Sequence, residues 1–94
     1  MSLCYLEIKV DLPLSQNIKD KRGILKSLIS RVSSKFNVSI AEISLHDYWK
    51  SSLIGIAIVA NDGKFFDPMV ETIIFFIESS YPNIIISIEN REIL

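Results

Sequence analysis

The sequence predicts an α+β fold in which four strands and two helices follow one another as β-α-β-β-α-β. Two stretches, Ile18 to Phe36 and Asp67 to Ser80, repeat apolar residues at helical spacing. Leu3 to Leu12 alternates apolar and polar residues, and Leu53 to Ala60 is an almost unbroken apolar run. Turn-forming residues fall between these segments, at Pro13, Asn37, Asn61-Asp62-Gly63 and Tyr81-Pro82-Asn83. With right-handed crossovers, that order gives the ferredoxin-like sandwich, an antiparallel four-stranded sheet with both helices on one face. The expected strand order is 4-1-3-2.

Each element has its own justification. In the first strand Cys4, Leu6, Ile8, Val10 and Leu12 share the buried face, and Tyr5, Glu7, Lys9 and Asp11 share the other. Asn17 is the expected N-cap of the first helix, with Asp20 at its third position. Ile18, Leu25, Leu28, Ile29, Val32 and Phe36 form its core stripe, while Gly23 costs it about 1 kcal/mol relative to alanine. Val38 to Leu45 reads as the second strand. Its apolar phase switches between Ile40 and Ile43, which predicts a bulge near Ala41–Glu42 that restores a common face. His46 to Ser52 is a polar hairpin tip, and Gly55 and Ala57 make the third strand a narrow central one. Lys64 to Phe66 reads as a separate turn, because a helix begun at Asp62 would hold Pro68 inside it. Asp67-Pro68 then reads as N-cap and first position of the second helix, and Ile84 to Glu89 as the last strand.

Composition bounds the function classes. Ninety-four residues, 49% hydrophobic and with three Gly and three Pro, suit a single domain spanning residues 1–94. No apolar run reaches the ~18 residues of a membrane span, and the N-terminus alternates like a strand instead of resembling a signal peptide, so a cytoplasmic protein is expected. One cysteine and one histidine leave no disulfide and no zinc site, and no cofactor motif is present. The net charge of −1 argues against bulk nucleic-acid binding, but its distribution is uneven. Ile18 to Phe36 carries six basic residues and one acid, a local +5, against −6 for the remainder.

That basic helix is the main functional candidate. Its first turns hold Lys19, Lys21 and Arg22, cations placed at the positive end of the helix dipole. Lys19, Arg22, Lys26, Ser30 and Ser33 fall along one flank, with Lys21 at the edge of the core face. Such a row suits a phosphate backbone, cations supplying charge and hydroxyls supplying hydrogen bonds. The plainer account is a solvated face neutralised by Asp11, Asp20 or Glu7. Trp49, with Tyr48 and Lys50 at the hairpin tip, suits either stacking on a base or packing against protein.

NIKDKRGILKSLISRVSSKFNVSIAEI, followed by HDYWKSSLIGIAIVAND and a closing REIL, resembles the YlxP-like family of small bacterial proteins of unknown function. The resemblance spans essentially the whole chain. It implies the ferredoxin-like fold and a gene neighbourhood shared with translation and ribosome-maturation factors, and it brings no catalytic residues. The chain departs from the family pattern at Gly23, where a larger and often basic residue is common, and at Pro68.

Enzyme readings lack the residues they need. Acylphosphatase chemistry on this topology requires a glycine-rich phosphate loop with an arginine, and DLPLSQN has neither. His46 and Asp47 are adjacent without a placed nucleophile, and Cys4 alternates with core residues as an inert thiol. An RNA platform on the sheet needs paired aromatics on the first and third strands, where only Tyr5 is found. Phe75, on the outer side of the second helix, and the apolar residues of the open sheet face point to a homodimer. The expectation is therefore a non-enzymatic protein that binds RNA or a ribosomal particle through its first helix. The alternative is a homo-oligomeric structural or ligand-sensing module that binds no nucleic acid.

Overall fold

The computed structural model describes all 94 residues. Strand β1 (Ser2–Asp11) leads into helix α1 (Ile18–Lys35). Strands β2 (Ser39–Ser44) and β3 (Ser51–Ala60) follow, then a 3₁₀ turn (Gly63–Phe65), helix α2 (Phe66–Ser80) and strand β4 (Ile85–Ile93). The sheet order is β2-β3-β1-β4, and every neighbouring pair is antiparallel. This is the expected ferredoxin-like arrangement, with β1 and β3 central.

The core lies between the sheet and the two helices. β1 contributes Cys4, Leu6, Ile8 and Val10, and β3 contributes Ile54, Ile56 and Ile58, alternate residues of strands that bury one face. α1 meets them with Leu25, Leu28 and Val32, and α2 with Phe66, Val70, Ile73 and Ile77. Cys4 is fully enclosed, as its alternation predicts. On the outer side of the helix layer Phe36 meets Phe76 edge-on, and Arg31 lies over Phe76 and Tyr81. No helix is long and apolar enough to cross a membrane.

Three local expectations need correction. The second strand does carry an irregularity, but at Ile43, one residue beyond the expected place. Glu42 pairs with Ile54 and Ser44 with Leu53, so Ile43 has no partner. The bulge does not restore a common face. Ile40 packs toward the core, whereas Ile43 meets Tyr5 across Gly55 on the open face. The position that the phase switch gives to a second apolar residue is taken instead by Glu42, opposite Ile54. Asp67 is not the cap of α2. Asp62 accepts from the Lys64 amide and caps the 3₁₀ turn, which runs straight into α2, so Asp67 and Pro68 lie in the helix's first turn. Proline is tolerated there because those amides have no helical acceptor. Finally, β4 continues to Ile93. The run Glu89 to Glu92 is too polar to read as strand, but Arg91 pairs with Leu6 and Ile93 with Cys4 once a bulge at Glu89 is passed.

Candidate nucleic-acid interface

The start of α1 is built as its sequence demands. Asn17 has extended backbone angles and its side chain accepts from the Asp20 amide at 2.9 Å, while Asp20 reaches back to the Gln16 amide at 3.1 Å. From that fixed start, helical spacing sends Lys19, Arg22, Lys26, Ser30 and Ser33 outward, and all five are exposed. None of the three cations has a carboxylate within 4.0 Å. The neutralising acids of the plainer account are engaged elsewhere. Asp11 pairs with Lys9, Glu7 accepts from the Tyr5 hydroxyl, and Asp20 serves the helix start.

Lys21 does not belong to that row. Its side chain is 1% exposed, and its ammonium donates to the carbonyls of Leu45 and Tyr48 and sits 3.0 Å from Glu42 Oε2. An ammonium has three protons, and three acceptors surround this one. Ser52 Oγ donates to the same Glu42 oxygen at 2.6 Å. The Glu42 carboxyl lies below its ordinary 4.5: burial pushes it up, but the bonds from Ser52 and Lys21 and the charges of Lys21 and His46 outweigh that. Leu45 has φ of 64°, a left-handed conformation that costs a non-glycine residue about 1–3 kcal/mol. Lys21 is thus spent on holding protein, and offers nothing to a phosphate.

The antiparallel pairing of Asp11 with Ser51 puts the hairpin tip at the same end of the molecule as the first turns of α1, and the Lys21 contacts tie the two together. Lys50 adds to the junction, accepting from the Leu12 amide at 2.8 Å and donating through its ammonium to the Pro13 carbonyl. Trp49 stays 43% exposed and Tyr48 60% exposed, and Lys50 lies 5.3 Å from the Trp49 ring centre. Both rings therefore keep much of their surface open. Arg31 and Lys35 rest on aromatic rings between the helices, which separates them from the free cations at the helix start.

The open sheet face has a different character. Tyr5 occupies its centre, hydrogen-bonded to Glu7 at 2.7 Å, and Glu92 lies opposite it on β4. Its hydroxyl is raised above the usual 10.0 by that bond to Glu7 first, then by loss of solvent and the charges of Glu7 and Glu92. Glu7 and Glu92 make the centre of this face acidic. The residues that sequence reasoning missed are Glu42, Leu45 and Ser52. One signal pointed to them: Lys21 and Glu42 are opposite charges that both occupy core-facing positions of their elements.

Comparison with known proteins follows the same lines. The family described as "Protein of unknown function (DUF503)" matches residues 3–90. The Uncharacterized protein YlxP of Bacillus subtilis (strain 168) is 38% identical over 68 residues, covering 72% of this chain and 73% of that one. Two designed proteins share the fold. The de novo designed protein LFR1 1 with ferredoxin fold aligns at TM-score 0.60 and 18% identity, over 96% of this chain and 87% of the other. The de novo designed protein Foldit4 aligns at TM-score 0.56 and 15% identity, over 98% and 96%. At such identities the designed proteins speak for the fold alone, whereas the family match spans nearly every element described above. The chain belongs to the YlxP-like family of proteins of unknown function (DUF503).

Proposed function

We propose that the protein is a non-enzymatic binding protein that takes RNA, free or within a ribosomal particle, on the outer flank of α1. The observation that carries this reading is the row of exposed cations Lys19, Arg22 and Lys26, none with a carboxylate within 4.0 Å and the first two near the positive end of the helix. Unmatched cations there raise the energy of the free protein, and an incoming phosphate relieves it. Ser30 and Ser33 continue the row as hydrogen-bond donors. The acidic sheet face turns the same ligand away, which gives the molecule one side for RNA. Sedimentation with ribosomal subunits across a salt series tests it: co-sedimentation that weakens as salt rises supports the reading, and none at low salt contradicts it.

Pairing of two copies is a second, compatible proposal. It is favoured by Phe75, 72% exposed on the outer face of α2, and by Val59, 58% exposed on the open face of the sheet.

A further inference from the structure

The clamp around Lys21 has a use beyond stability. A six-residue tip carrying Tyr48, Trp49 and Lys50 has its carbonyls drawn inward onto one ammonium, through a left-handed Leu45, while both aromatic rings stay exposed. The ammonium belongs to the helix turn that presents Lys19 and Arg22 outward. One side chain therefore holds the tip that carries these rings at the end of the molecule where α1 begins.

We propose that the two form one composite site for single-stranded RNA, in which an unpaired base stacks on Trp49 while its neighbours' phosphates follow Lys19, Arg22 and Lys26. Lys21 is the positioning residue of this site. The inference rests on the reading of the α1 flank as a phosphate site, and adds to it the class of RNA. A base pair hides both faces of its bases in the stack, so a platform such as Trp49 distinguishes single strands from duplex. Lys50, with its ammonium 5.3 Å from the ring centre, adds a further cation at the platform.

Trp49 is the sole tryptophan, so its emission reports this site alone. The experiment titrates the full chain with a short unstructured RNA strand and, separately, with the duplex that strand forms with its complement. The strand quenches Trp49 and binds more tightly than the duplex. Trp49→Ala weakens strand binding about tenfold, the scale of one stacked base, and leaves duplex binding unchanged. Lys21→Met reproduces that loss of preference without itself touching RNA, and combining the two changes adds nothing further. Ile58→Val, a core change remote from the tip, lowers stability while keeping the preference for the strand. Glu42→Gln, which keeps an acceptor for both Lys21 and Ser52, serves if Lys21→Met does not fold; it loosens the tip and reduces the preference in part. Strand binding that leaves Trp49 emission unmoved, or a folded Lys21→Met with an intact preference, overturns the composite site and leaves the α1 reading standing. Failure of the unaltered protein to bind either RNA overturns both.

Discussion

At the scale of single residues, Lys21 and Gly23 show how the start of α1 is built. Three cations at the positive end of a helix break an electrostatic preference, and the structure divides them. Lys21 is compensated by Glu42 and two carbonyls, whereas Lys19 and Arg22 have no carboxylate within 4.0 Å. The apolar stripe of α1 was legible because it is periodic. The inward turn of Lys21 was not, because its partner lies on a strand 21 residues away and the enclosing carbonyls depend on a backbone conformation that leucine rarely adopts. Gly23 has no atom within 4 Å of the place a Cβ would occupy, and its backbone is not left-handed. Gly23→Ala is expected to raise stability by about 1 kcal/mol, with a melting temperature several degrees higher by thermal unfolding.

At the scale of elements, the β2–β3 hairpin is held to α1 by a charge pair beside its tip. Glu42 is the group that makes this sensitive to pH. Its carboxyl is lowered in the folded protein, so on acidification the unfolded chain takes up its proton first. The stabilisation is complete above the ordinary carboxylate value and is lost as pH falls through it toward the lowered native one. Urea midpoints measured across that range should therefore fall for the unaltered protein, and fall less for Glu42→Gln. A slope that Glu42→Gln leaves unchanged removes Glu42 from the explanation. The hairpin also shows where sequence reading ran out. Alternation located both strands, but the phase switch located only the existence of a bulge. Its position and the face of Ile43 were decided by room beside Gly55 and by Glu42 taking the core-facing place, both tertiary facts.

At the scale of the whole molecule, a formal charge of −1 conceals two unlike sides, a cationic flank on the helix layer and an acidic, aromatic-centred sheet. The molecule is elongated, 42 × 23 × 19 Å. The hairpin tip and the start of α1 share one end because Asp11 pairs with Ser51, and Lys21 joins them there. Exposed Phe75, on the outer face of α2, and Val59, on the open face of the sheet, lie on opposite sides of the molecule, so a single pairing surface uses one or the other. Analytical ultracentrifugation at micromolar concentration should show a species of twice 10.7 kDa, and a single species near 10.7 kDa would contradict the pairing. The fold as a whole was legible from element order and crossover handedness, since both are set by local pattern and chain chirality. The proposed binding side was only half legible. Helical spacing gave the row of cations, but whether carboxylates covered it depended on where Asp11, Glu7 and Asp20 found other partners.

The central claim is that Lys19, Arg22 and Lys26 are free to meet phosphates, and the most direct measurement is made on the variant in which all three are Gln. Single-stranded RNA affinity is measured against salt for both proteins, alongside their melting temperatures. Three lost single-strand phosphate contacts should reduce the log–log salt slope by about two units. The melting temperature should hold or rise slightly, because repulsion at the positive helix end is relieved. An unchanged slope together with a lower melting temperature would show a structural helix with broken ion pairs, and would contradict the account.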